Sequence, residues 1–298
     1  MRAVRFHETG GPDVLKVEET DRPSPGEGEV LIRVRAASVN PVDWKFRRGY
    51  MDAPLPAIPG RDMAGTVEES NDSRLSPGDD VFCGVGSAYA EYVVAPADVI
   101  AKKPAELSFE QAASIPVAGL TAWQGLFDKG GLESGQTALI AGASGGVGHF
   151  AVQFAHHAGA RTVGTGSGRN RDFVLGLGAD DFVDYTSQDV SSEVSDVDVA
   201  LDTVGGDVTA TLVPTLREGG AIVTIASAPP EEAAAERGAR AIMHVTSQSS
   251  EPLTRIAGLV VAGDVRIEIS EVLPLDEVQR AHELSEGGHV RGKIVLTV

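Results

Sequence analysis

The chain has one cysteine, Cys83, which excludes an internal disulfide and any cysteine-rich structural zinc site. No apolar run approaches the roughly 18 residues that a membrane-spanning helix needs, so no membrane partner is expected. Residues Met1–Glu8 are polar and look like neither a secretory nor a transit segment, and a cytoplasmic location is the default expectation. There is no tandem repeat and no low-complexity tract. Lysine is scarce, occurring at 16, 45, 102, 103, 129 and 293 among 25 basic residues. The formal charge of −18 opposes nucleic acid and anionic membrane surfaces as partners. Abundant Asp and Glu with little Lys fits a halophilic protein, in which salt screens self-repulsion. An ordinary acidic enzyme fits equally well.

What is present is a globular composition, with 42% apolar residues, 35 Gly and 16 Pro in 298 residues. That length holds two domains of about 150 residues each. The first hundred residues read as short strands broken by Pro/Gly turns. The segment 29–39 (EVLIRVRAASV) alternates as a half-buried strand does, 88–96 is another strand candidate, and little helix is expected. Ser108 and Gln111 are spaced as a capping box ahead of a helical stretch over 108–127. Strands then alternate with helices: strand 137–143, helix 146–158, strand 161–167, helix 169–177, strands 181–185 and 197–205, helix 207–216 and strand 221–227. This β-α-β rhythm predicts an α/β fold with a doubly wound parallel sheet. Residues 231–236 are a solvated helix or loop. The tail returns to β texture, with strand 266–274, helix 275–287 and strand 292–298.

The turn after strand 137–143 admits two readings. Gly142-Ala143-Ser144-Gly145-Gly146 fits the G-x-S-x-G elbow that presents a hydrolase serine, with Asp202 and His244 or His289 available in the right chain order. Ala143, Ser144, Gly145, Gly146, Val147 and Gly148 also fit a relaxed G-x-G-x-x-G loop. In that loop backbone N–H groups and a helix N-terminus cradle a pyrophosphate. Only the second reading accounts for Gly148 and for the residues that follow. An acid that would bind a ribose 2′-hydroxyl is expected about 20 residues on, yet 161–171 contains no Asp or Glu. It contains Ser167, Arg169 and Arg171 instead, a set suited to a 2′-phosphate. The expected coenzyme is therefore NADPH. Val204 and Gly205, and Ala226 with Ser227, close two further strands at the sheet end where ligands of this fold bind.

Several segments in order carry a resemblance: NPVDWKFRRG (40–49), PLPAIPGRDMAGTV (54–67), AYAEYVVAP (88–96), AASIPVAGLTAW (112–123), GASGGVG (142–148), LGADDFVDY (177–185) and HVRGKIVL (289–296). Together they resemble the medium-chain dehydrogenase/reductase superfamily, in its zinc-free quinone oxidoreductase and enone reductase branch. The resemblance implies a GroES-like β-rich catalytic domain from 1–113 and 258–298. A Rossmann domain, 114–257, is inserted between them, and the active site lies in the cleft. Where the zinc branch carries ligands, this chain has Asn40, Gly60-Arg61-Asp62 and Val117, so no metal is expected. His149, His156 and His157 are assigned packing or surface roles, and Asp62 a structural pairing with Arg61 or Arg47.

Carried over position by position, the resemblance puts Asn40 and Lys45 by the nicotinamide. Lys45 hydrogen-bonds a developing enolate or relays a proton. Thr121 lines the nicotinamide pocket, Tyr185 approaches the adenosine phosphate, and Arg291 and Lys293 lie in a segment that reaches the cofactor. The implied activity is hydride transfer from NADPH to an enone or quinone, by a homodimer. A coenzyme-binding sensor or structural protein on the same fold is the non-enzymatic alternative.

Overall fold

The computed structural model describes residues 1–52 and 54–298. Two compact units divide the chain: Met1–Ala118, Gln248–Gly263 and Ile267–Val298 form the first, and Gly119–Ser247 with Asp264–Arg266 the second. The junctions expected at 113/114 and 257/258 compare with 118/119 and 247/248 in this division. The helix Ser250–Ala262 packs on the short strand Ala101–Lys102 of the first unit, which draws the return point forward.

In the first unit the strand Glu29–Val39 is the backbone of a mixed sheet. It pairs antiparallel with Asp62–Ser70, with Tyr92–Pro96 and with the C-terminal strand Lys293–Thr297. Phe6, Val30, Ile32, Val34, Met63, Cys83, Tyr89 and Leu296 contribute to its core. Little helix was expected here, yet Pro41–Arg47 is helical. Pro41 supplies a preset φ at the first helical position, and the Asp43 carboxylate accepts from the backbone N–H of Asn40 at 2.8 Å.

The second unit has a parallel six-stranded sheet among the described residues. Its order is Asp181–Asp184, Arg161–Gly166, Thr137–Ala141, Val197–Asp202, Leu216–Thr224 and Arg240–Met243. The strand order reverses between Thr137–Ala141 and Val197–Asp202, the switch point where ligands of doubly wound sheets sit. The Ser108/Gln111 capping box is formed, with Gln111 N donating to Ser108 Oγ at 3.2 Å and Ser108 N to Gln111 Oε1 at 3.0 Å. The helical stretch 108–127 is not continuous, however. It breaks before Pro116, since the residue preceding proline resists the α conformation, and passes into a π-helical turn over Gln124–Lys129. The strand Arg240–Met243 had no counterpart in the sequence reading. At four residues with only one sheet neighbour, it leaves too short a pattern to detect.

Candidate functional site

The glycine turn lies at the C-terminal end of the central strand Thr137–Ala141 and leads into the helix Gly148–His157. Gly142 has φ of +70°, a conformation that L side chains rarely adopt. A β-carbon at Gly148 would collide with the Gly142 carbonyl and approach Ala143 Cα to 2.8 Å. Only glycine allows the helix to start this close to the strand. Ala143 N donates to Thr165 O at 3.0 Å, and Gly145 N to Gly142 O at 2.9 Å, and these bonds fix the loop backbone. Ser144, Gly145, Gly146 and Val147 are half-buried along it. Thr203 Oγ donates to Ala141 O at 2.7 Å and crosses the switch point. Asp202 beside it is wholly buried and accepts from Val204 N and Gly205 N, each at 2.9 Å, and from Thr209 Oγ at 2.5 Å. That carboxylate clamps its own turn, and these partners include no histidine of the kind a Ser144 triad would require. His244 is buried, with neither ring nitrogen hydrogen-bonded.

At the end of the next strand, Ser167 opens the turn Gly168–Asn170, with Ser167 half-buried and Arg169 exposed. Arg171 is turned aside: its guanidinium donates to Phe182 O at 3.2 Å and lies over the Phe182 ring. Tyr185 is 58% exposed and Val204 51% exposed. Ala226 and Ser227 are half-buried, and Ser227 Oγ is 3.0 Å from Thr209 Oγ. Thr121 is buried and shares a short hydrogen bond with Thr246. Gln124 holds the same segment through two bonds to the Ser247 backbone, at 2.8 and 3.1 Å. His149 is buried with Nδ1 3.0 Å from Gly145 O, while His156 and His157 are exposed.

In the first unit, residues far apart in sequence converge on a buried polar network. Asp62 accepts from Ser38 Oγ and Asn40 Nδ2, each at 2.7 Å, and from Val117 N at 2.8 Å. Lys293 Nζ donates to Asn40 Oδ1 at 2.6 Å and lies 3.6 Å from Asp62. Asp62 therefore pairs with Lys293, not with Arg61 or Arg47. Arg61 is exposed, and Arg47 bonds Glu286. Lys293 is 2% exposed, so its amine lies inside the protein beside the Asp62 carboxylate. Burial lowers its pKa, against the opposing pull of Asp62 and Asp43. Asn40 is likewise enclosed, its amide spent on Lys293 and Asp62. Asp43 Oδ2 accepts from Asn40 N and from Tyr89 OH at 2.9 Å, while its Oδ1 has no hydrogen-bond partner. Burial pushes this carboxyl up to about 7. Lys45, two residues further along the same helix, is half-buried with its ammonium 5.7 Å from the Trp44 ring centroid. Arg291 is half-buried just ahead of Gly292, whose φ is +67°.

Residues 26–105 match the family described as alcohol dehydrogenase GroES-like domain, and 177–296 the one described as zinc-binding dehydrogenase. A 2-methylene-furan-3-one reductase of Solanum lycopersicum is 33% identical over 99% of this chain and 79% of its own. A quinone oxidoreductase of Coxiella burnetii is 38% identical, with a TM-score of 0.95 over 100% of this chain and 99% of its own. The chain belongs to the quinone and enone reductase branch of the medium-chain dehydrogenases/reductases. It is thus a member of an oxidoreductase family with a GroES-like domain and a Rossmann-type sheet. An Escherichia coli member of this branch, a quinone oxidoreductase solved in complex with NADPH, is 27% identical over 100% of both chains with a TM-score of 0.92. No helix among the described residues is long and apolar enough to cross a membrane.

Sequence reasoning missed Asp202 as a turn clamp and the set Ser38, Asp43 and Tyr89. The only trace of Asp43 was its spacing of three from Asn40, a capping-box interval.

Proposed function

We propose that this chain is a metal-independent reductase that uses NADPH to reduce the activated C=C of an α,β-unsaturated carbonyl compound, or a quinone. The reading is carried by the groups that stand where zinc relatives hold their ligands. Asn40, Arg61 and Val117 offer no thiolate or imidazole, and the neighbouring Asp62 is already bonded to three donors with the Lys293 ammonium 3.6 Å away. A zinc ion wants three such ligands and no neighbouring cation, so these residues do not fit one. Without a Lewis acid, oxidation of an alcohol lacks the means to stabilise an alkoxide. Reduction of a conjugated C=C asks less, because charge spreads to a carbonyl oxygen that a few hydrogen bonds can hold.

The glycine turn fits a nicotinamide coenzyme. Backbone N–H groups of Ser144 and of residues 146–148, at the N-terminus of a ten-residue helix, suit a pyrophosphate. Ser167 and Arg169 suit the 2′-phosphate; Thr121, Tyr185, Val204, Ala226 and Ser227 line the remaining coenzyme surface. The coenzyme supplies a hydride when bound. Lys45 donates a hydrogen bond to the oxygen on which enolate charge develops, and it or water completes protonation. Asn40 is held rigidly by Lys293 and Asp62, which sets the start of the Lys45 helix. A homodimer formed through the exposed edge strand Arg240–Met243 completes the reading, and light scattering tests it. The main test follows oxidation of NADPH and NADH against a panel of enones and quinones. Turnover with NADPH is expected. Equal rates with no acceptor present, or covalent labelling of Ser144 by a fluorophosphonate with esterase activity, would overturn it.

A further inference from the structure

The stretch 161–171 holds no carboxylate, but the fold brings one to it from the adjacent strand. Asp184 ends the strand Asp181–Asp184, and the parallel register sets it level with Gly166. Its carboxylate lies against the turn that begins at Ser167: Oδ2 stands in the space that a β-carbon on Gly168 would occupy. Its other oxygen accepts from Thr186 N at 3.0 Å and Thr186 Oγ at 2.7 Å, which fixes the group in place. These donors and the Gly168 amide hold its pKa below the usual carboxylate value, so it is ionised at neutral pH. Of the two arginines that favour a phosphate here, Arg171 is occupied with Phe182 O. That leaves Arg169 on the turn and Asp184 against it, of opposite sign.

We propose that Asp184 is a coenzyme-specificity residue. Its carboxylate opposes a 2′-phosphate at the Ser167–Asn170 turn and accepts a hydrogen bond from an unphosphorylated ribose, so it limits the preference for NADPH that Arg169 creates. The proposal rests on the glycine-turn coenzyme site described above and sharpens it. The physical basis is that a fixed carboxylate repels a phosphate dianion strongly at short range but serves a ribose hydroxyl as an acceptor. The Asp184→Asn change preserves shape and the acceptor oxygen toward Thr186 while removing the charge.

The experiment measures affinity of the purified chain for 2′,5′-ADP and for 5′-AMP by calorimetry, which needs no turnover. The ratio of kcat/KM for NADPH over NADH is taken alongside it. Asp184→Asn is expected to raise the 2′,5′-ADP over 5′-AMP preference about tenfold or more, and Arg169→Gln to lower it by about as much. A thermal melt confirms that both variants fold. A preference within about twofold of the parent in Asp184→Asn overturns the proposal, as does an equal gain for both nucleotides, which would mark Asp184 as a turn cap. Failure of the parent to bind either nucleotide also overturns it. Nucleotide binding that follows Asp184 without turnover on any enone or quinone would instead overturn the proposed activity and leave Asp184 its role.

Discussion

The glycine turn and the buried lysine network differ in the range over which they are built. The glycines that single out the turn lie within seven residues, Gly142 to Gly148, and their constraint is steric: a left-handed φ at one end and no room for a side chain at the other. The network ties Asn40 to Lys293 across 253 residues and to Asp62 across 22. Its constraint is electrostatic, a buried cation and carboxylate that need each other. Local steric devices leave a spacing that can be read along the chain. Long-range charge pairs leave none, because only the sheet register puts the strands Lys293–Thr297, Glu29–Val39 and Asp62–Ser70 side by side.

The largest effect should come from breaking the network. Lys293→Met strands the Asp62 charge in a sealed interior and is expected to cost about 3–5 kcal/mol in urea denaturation. Adding Asn40→Ala should cost less than its effect alone, because the two residues share one set of bonds. Full additivity would dissolve the network into independent contacts. Breaking the turn is the counterpart. Gly148→Val forces the helix off the strand and is expected to weaken NADPH binding roughly hundredfold, which calorimetry reads. Binding within about threefold of the parent would remove the turn from the site.

The same contrast explains what was legible. The strand 29–39, the 142–148 turn and the Ser108 cap were read from residues that act on near neighbours. Asp62 was assigned to Arg61 or Arg47 because nearness in sequence was the only guide to its partner. Lys293 was named as a cofactor contact through the resemblance alone, and its burial against Asn40 and Asp62 left no mark in the sequence. Asp184 escaped for a related reason: a window along one strand cannot show what its neighbour contributes. The helix Pro41–Arg47 carried a local signal, Asn-Pro followed by Asp43, that the β texture around it obscured.

Smaller effects sharpen the contrast. Lys45→Ala should lower kcat on enones about tenfold with little change in melting temperature, since its side chain is half-buried and outside the network. Unchanged turnover would leave Lys45 as a surface cation. Two buried groups of the first unit give opposite pH slopes of at most about 1.4 kcal/mol per pH unit. Asp43, at about 7 when folded against 3.8 as its reference, binds a proton that the unfolded chain has lost. Its contribution is present below about pH 4 and fades as pH rises toward 7. His282 is pushed down to about 3, by burial and then by Arg47, so its contribution is present above its reference of 6.5 and fades as pH falls toward 3. Between these limits the two oppose each other. Asp43→Asn should therefore steepen the loss of stability on acidification, and His282→Leu should reverse the slope. Parallel profiles for the parent and both variants, from urea melts across this range, would show that neither group titrates as its burial requires.

The central claim, hydride transfer from NADPH without a metal, is tested most directly by one measurement. The purified protein is dialysed against a strong chelator, assayed for trace metal, and given NADPH with an α,β-unsaturated ketone while the absorbance of the reduced coenzyme is followed. The account predicts that turnover persists undiminished at metal contents far below one ion per chain. Activity that disappears with the metal and returns on adding zinc would contradict it.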